Sequence, residues 1–289
     1  MATPANPATV RIVEVAPRDG LQNHARAFST SAKIAFIDSL SQSGLPVIEA
    51  TSFVNPKAVP LMADAVDVMQ GIDRINVVRY LALVPNEKGL DRAIVSGVDS
   101  VAVFGSASET FSQRNINCTV AESLERFAPV FARARQDRLW VRGYISMAFA
   151  CPFEGEIDPA ATAALAASLL EMGCDEVCLA DTIGAATTEQ TASVLDATLP
   201  LVPAEHLALH MHDTFGKAVD NIDIAYERGI RVFDAAAGGL GGCPFAPGAA
   251  GNLATECLIE HLDARGIPHN VDIALVRQAI AELLDSPAA

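Results

Sequence analysis

The chain has 289 residues, room for one large domain or two small ones; α/β barrels run to about 250 residues as a single unit. A net charge of −15 and an isoelectric point near 4.7 argue against non-specific nucleic-acid binding, which needs a basic surface. Mean hydropathy is +0.28, yet charge or glycine breaks every apolar run well short of the roughly 20 residues of a membrane helix.

The first ten residues, MATPANPATV, carry neither a basic segment nor an apolar core. They are expected to form a flexible arm rather than a secretory signal, leaving residues 11–289 as one domain. Cysteines 118, 151, 174, 178, 243 and 257 include no CxxC pair. They read as reduced thiols of a cytoplasmic protein. Cys174 and Cys178 lack the partners of a zinc set and are expected in the core.

In chain order, short β-branched runs alternate with Ala/Leu-rich segments of helical period. Arg11–Asp19 is predicted as a strand and Ser31–Ser43 as the helix that follows, closed by Gly44. Val47–Phe53 pairs with the helix Pro60–Gln70, and Ile75–Val84 with Glu87–Ser96, closed by Gly97. Ser100–Ser108 precedes the helix Ala121–Arg135, and Trp140–Phe149 precedes Pro159–Met172, closed by Gly173. Glu176–Ile183 leads through Thr187, a predicted N-cap, into Thr188–Leu199. His206–Phe215 leads into Ala218–Arg228, closed by Gly229. Val232–Leu240 is the eighth strand, and Leu253–Ala264 the helix after it, with Asn252 as its predicted N-cap. Val271–Leu284 is an extra amphipathic helix, expected to lie across the barrel.

Eight such units predict a (β/α)8 TIM barrel with an additional C-terminal helix. A doubly wound sheet is the competing architecture. It would advertise a glycine-rich dinucleotide turn, and the first strand ends in ProArgAspGly instead.

Barrel enzymes carry their chemistry at the C-terminal ends of the strands. There the unusual polar residues collect: Arg18 and Asp19 on strand one, Glu49 on strand two, Asp181 and Thr182 on strand six, His210 and His212 on strand seven. Residues two apart in a strand face the same way, so both imidazoles point at one spot. With the oxygens of Asp19 and Asn252 they form a mixed N/O set with room for substrate, which suits a divalent metal, Mg²⁺ or Mn²⁺, better than structural zinc. The loop GGLGGCPFAPGAAGN follows strand eight. It is neither a dinucleotide fingerprint nor a P-loop, and its glycine density suits a segment that moves over substrate, with Cys243 at its centre. Arg18 reads either as a salt-bridge partner of Glu49 or Asp19 or as an electrostatic stabiliser. The segment CPFEG after strand five reads as loop structure.

Eight stretches, among them EVAPRDGLQN, IEATSFVNPKAVPLMAD, CPFEG, LADTIG, HMHDTFG and GGLGGCPFAPGAAGNLATE, together resemble the hydroxymethylglutaryl-CoA lyase family, in order and over Arg11–Ile267. The resemblance implies metal ligands Asp19, His210, His212 and Asn252, and catalytic roles for Arg18, Cys243, Glu49 and Asp181. Arg18, Gln22 and Thr182 would contact an acyl-CoA substrate. It further implies a homodimer, a place in leucine catabolism and ketone-body formation, and neither a nucleic-acid nor a membrane partner. Ala16, Phe153, Ala180, Met211 and Phe215 stand where the family is expected to carry Gly, Tyr, Gly, Cys and Tyr; none is a proposed ligand.

The implied reaction is metal-assisted retro-Claisen cleavage of 3-hydroxy-3-methylglutaryl-CoA, with His210 or Asp19 as the base. Competing readings are a lyase for another branched 3-hydroxyacyl-CoA, a condensing synthase, and a non-catalytic barrel.

Overall fold

The computed structural model describes residues 9–242 and 251–287. The strands are β1 (Arg11–Glu14), β2 (Val47–Ser52), β3 (Arg79–Leu83), β4 (Ser100–Ser106), β5 (Trp140–Ser146), β6 (Ala150–Cys151), β7 (Gly155–Glu156), β8 (Glu176–Asp181), β9 (Leu207–Met211) and β10 (Val232–Ala235). Helices α1 (Thr30–Ser41), α2 (Ala65–Gly71), α3 (Glu87–Val95), α4 (Glu109–Ile116) and α5 (Val120–Asp137) alternate with the early strands. Helices α6 (Pro159–Met172), α7 (Thr188–Thr198), α8 (Ala218–Glu227), α9 (Thr255–Ala264) and α10 (Ile273–Asp285) follow.

Eight of the strands are parallel and close into a barrel in the order β1-β10-β9-β8-β5-β4-β3-β2. This is the (β/α)8 fold expected from the alternating pattern. Ile12, Ile48, Val101, Val177, Leu209 and Phe233 are fully buried on these strands, and each such side chain contributes roughly 1.5–3 kcal/mol by leaving water. Gly44, Gly97, Gly173 and Gly229 all take positive φ just past helices, as their placement predicted. Thr187 caps α7, and Gln190 answers it in a capping box.

Four expectations change. The first strand ends at Glu14, and Ala16–Gly20 forms a turn of π-helix instead of continuing to Asp19. Pro17 has no N–H to give a ladder, and the amides of Arg18, Asp19 and Gly20 all converge on Val15 O. The seventh barrel strand ends at Met211, so His212 lies just beyond it, in an isolated antiparallel bridge with Asn252. Asn252 is not the N-cap of α9: that helix starts at Thr255, and the Asn252 side chain is spent elsewhere. Helix α10 does not lie across the barrel. Asp272 N donates to Ser43 O at one end, and Arg26 bonds the Leu284 and Ser286 carbonyls at the other, so α10 runs alongside α1, antiparallel to it.

Two small elements escaped the periodicity. Helix α4 and the β6–β7 hairpin join through Cys151 Sγ, 3.1 Å from Ser108 Oγ, and through Glu154, which accepts from Thr110 N at 2.6 Å. CPFEG is the hairpin itself, which fits the reading of that segment as loop structure. Residues 1–8 of the predicted N-terminal arm and the middle of the glycine-rich loop, Cys243 included, lie outside the described residues, whereas Val10 at the end of the arm is buried and donates its amide to Pro268 O at 2.8 Å.

Candidate active site

The π-turn after β1 brings Arg18 and Asp19 to the barrel mouth. Arg18 is buried and its charge is met on two sides. Its Nε and Nη2 lie 2.7 and 2.6 Å from Glu49 Oε2, and its Nη1 donates to Asp19 Oδ1 at 2.6 Å. Burial alone would lower the guanidinium's pKa, but Glu49 and Asp19 outweigh it and raise it. Arg18 is thus the salt-bridge partner of Glu49 and Asp19, one of the two jobs its position in the sequence allows.

Asp19 collects a second donor on Oδ1, Gln22 Nε2 at 2.8 Å, and on Oδ2 the amide of Asn252, also at 2.8 Å. Burial would raise its carboxyl, yet Arg18 and the two histidines prevail and hold it at about 2. It is an anion throughout the neutral range.

His210 and His212 come in beside it from the end of β9, two strands along the barrel from β1, with ring centroids 5.2 Å apart. Ligand atoms of Asp19, His210 and His212 all lie within 4.8 Å of one another. Asn252 reaches the same corner because 211–213 and 251–253 run antiparallel: Leu253 N donates to Met211 O and Asp213 N to Gly251 O, each at 3.0 Å. Its amide nitrogen donates to Asp19 and Leu240 O, which leaves its buried Oδ1 with no partner among the described residues. Among the described residues His212 Nδ1 is likewise buried without a partner. Buried polar atoms are rarely left unsatisfied, and two of them in a corner with a carboxylate fit a cation. Gly241 permits this crowding: it holds φ +102, and a Cβ there would stand 2.6 Å from Asn252 Nδ2.

The imidazoles differ. Burial would lower the His210 pKa, but a hydrogen bond to Asp234 raises it, whereas burial and the neighbouring His210 push His212 down to about 4. Before this corner lies a cavity of about 520 Å³ whose wall includes Arg18, Asp19, Gln22, Thr182, His210 and His212. Of the sequence-predicted residues that are described, all but Asp181 and Glu49 meet at this corner or its cavity; Cys243 lies outside the described residues. Asp181 is buried and accepts the amides of Ala185 and Ala186, holding the turn that carries Thr182; burial raises its carboxyl to about 6. Glu49 touches Arg18 and does not border the cavity.

Sequence reasoning missed three charged residues. Arg142 and Asp234 pair inside the barrel at 2.6 Å. Glu14 Oε1 accepts from Ala16 N and Ala237 N, both at 2.9 Å, and its Oε2 accepts the Thr255 hydroxyl at 2.7 Å. One carboxyl thereby ties the Arg18–Asp19 turn to both ends of the segment bearing Asn252. The available signal was a charge inside an apolar strand: RIVEV, WVRGY and VFDAA.

The profile of the HMGL-like family matches residues 9–283. A Danio rerio protein named "3-hydroxy-3-methylglutaryl-CoA lyase, cytoplasmic" is 52% identical over 276 residues, 96% of this chain and 82% of the relative. A Pseudomonas aeruginosa "3-hydroxy-3-isohexenylglutaryl-CoA/hydroxy-methylglutaryl-CoA lyase" is 50% identical, over 92% of this chain and 89% of its own. The crystal structure of the HMG-CoA lyase from Brucella melitensis superposes with a TM-score of 0.94 at 51% identity, covering 96% of this chain and 98% of that one.

Proposed function

The chain belongs to the HMGL-like family and is a carbon–carbon lyase; on that premise we propose that its barrel mouth cleaves 3-hydroxy-3-methylglutaryl-CoA to acetyl-CoA and acetoacetate, with Mg²⁺ or Mn²⁺ held by Asp19, His210, His212 and Asn252. The observation that carries this reading is the convergence of Asp19, His210 and His212 within 4.8 Å, beside an amide oxygen with no other partner. When bound, a divalent ion supplies Lewis acidity, making the substrate's tertiary hydroxyl easier to ionise.

The rest falls to the chain's own groups. Retro-Claisen cleavage removes the hydroxyl proton, breaks C2–C3 and leaves the electron pair on the thioester as an enolate. Asp19 and His210 both border the cavity and are the groups placed to take the proton. Arg18, held in place by Glu49, stabilises the developing enolate oxygen. Gln22 and Thr182 line the cavity and contact the acyl-CoA. Asp181 acts by fixing the turn on which Thr182 sits. On the family resemblance, Cys243 returns a proton to the acetyl enolate.

We also infer that the chain works in the cytoplasm as a homodimer, in leucine catabolism and ketone-body formation, with acyl-CoA as its partner. The name of the Danio rerio relative supports the first point, and no described helix is long and apolar enough to cross a membrane. Sedimentation should give a mass twice 30.3 kDa.

Mass spectrometry of products tests the reaction. Purified protein and 3-hydroxy-3-methylglutaryl-CoA should yield acetyl-CoA and acetoacetate in equal amounts with Mg²⁺ or Mn²⁺, and neither with excess chelator. Intact substrate in every tube would overturn the reading. A 3-isohexenyl analogue belongs in the panel because the Pseudomonas aeruginosa relative's name carries both substrates.

A further inference from the structure

Asp234 lies fully buried in β10, and its register partner on β9 is His210. Its Oδ2 is 3.1 Å from His210 Nδ1, and its Oδ1 accepts from Arg142 Nη2 at 2.6 Å. Cys178 Sγ stands 3.7 Å from the same Oδ2. Strands β8 and β9 separate β5 from β10, so the Arg142–Asp234 bond crosses the barrel interior. Arg142 is itself held. Its Nη1 donates to the Tyr144 hydroxyl at 2.8 Å, and its Nε lies 3.0 Å from Glu176 Oε1, although not lined up for a hydrogen bond. Arg11 closes the file by bonding Glu176 from β1. A continuous row of charges, Arg11–Glu176–Arg142–Asp234–His210, thus runs up the barrel and ends at the proposed active site.

The row constrains His210 in a way that nothing constrains His212. Arg142 can only donate, so it fixes Asp234 as an acceptor. Facing an acceptor, the His210 Nδ1 must carry hydrogen, which leaves the Nε2 lone pair bare. By contrast, His212 Nδ1 is buried with no partner among the described residues. We propose that Asp234, backed by Arg142, is a positioning residue that locks the tautomer and ring plane of His210, so that Nε2 is the atom presented to the cavity. The proposal deepens the lyase reading and concerns one of its candidate ligands. Asp234 meets the site only through His210. Carboxylates behind ligating histidines of this kind typically alter metal affinity or activity by about 10–100-fold when removed.

The test uses the full chain labelled with ¹⁵N-histidine, stripped of metal, at a pH where the ring is neutral. Long-range ¹H–¹⁵N spectra report which ring nitrogen carries the proton, and single replacements of the six histidines assign the signals. His210 should be in the Nδ1–H form, and an Nε2–H ring in the unmutated protein would overturn the proposal without any variant having to fold. In Asp234→Asn, Arg142 claims the amide oxygen, so the amide nitrogen faces the ring and forces the Nε2–H form. Mn²⁺ affinity measured by electron paramagnetic resonance should then fall about 10–100-fold. A folded Asn variant with an unchanged tautomer and Mn²⁺ affinity within twofold of the parent would also overturn it. The tautomer is read without turnover, so a protein that locks His210 yet fails to cleave the thioester would sink the lyase reading alone.

Discussion

Asn252 donates its side-chain amide to Asp19 Oδ2 at 2.8 Å across 233 residues of chain, and its own carbonyl oxygen is buried without a donor among the described residues. The bond aligns the oxygens of two proposed ligands from distant parts of the sequence. Asn252→Ala removes one of them and frees the other to rotate. Mn²⁺ affinity should drop at least about tenfold in equilibrium titration, with a circular dichroism spectrum like the parent's. Unchanged affinity would remove Asn252 from the site.

Arg18 is held by Glu49 and Asp19 in the fork geometry that only a guanidinium provides. Arg18→Gln should lower kcat by about 10²–10³ with little change in KM, because the lost donor acts on charge that develops during the reaction. A change confined to KM would assign Arg18 to ground-state binding. Arg18→Lys should rescue little, since an ammonium cannot span both carboxylates.

Buried Glu14 gives a pH signature. Burial raises its carboxyl from 4.5 to about 7 despite bonds from Thr255, Ala16 and Ala237, and neighbouring Glu256 adds to the rise. A pKa raised on folding contributes stability that is fully present below the unfolded value and is lost as pH climbs through the folded one. The parent should therefore lose stability between about pH 4.5 and 7, by roughly 3 kcal/mol at most. Glu14→Gln accepts both amides and donates to Thr255, so its stability relative to the parent should grow across that window in thermal melts at several pH values. A difference independent of pH would show that Glu14 does not titrate there.

Much of this was readable in advance because strand pattern and strand-end polarity reflect the same geometry. His210 and His212 announced a shared face by their spacing, and the ring contact bears this out. What stayed hidden needed three dimensions. The π-turn at Ala16–Gly20 looks like a continued strand in one dimension, since Pro17 and Val15 are both compatible with extended chain. Asn252 looked like a helix cap because its hydrogen bond to Asp19 is invisible to local pattern. Asp234 and Arg142 drew no notice, for a lone charge in an apolar strand reveals nothing about its partner across the barrel.

The proposed mechanism gives Cys243 the return of the proton to the enolate. Cys243→Ser replaces the thiol with a hydroxyl of similar size but far weaker acidity, so kcat should fall by about 10²–10⁴ while Mn²⁺ affinity is retained. Turnover within a factor of a few of the parent would leave the thiol without a chemical role.

The metal site is tested most directly by counting Mn²⁺ bound per chain, by electron paramagnetic resonance on chelator-treated protein, in the parent and in His212→Ala, with turnover assayed on the same samples. The parent should bind one ion per chain and recover activity in step with it; His212→Ala should remain folded and lose both. Full turnover in excess chelator, or a His212→Ala protein that binds and cleaves like the parent, would contradict it.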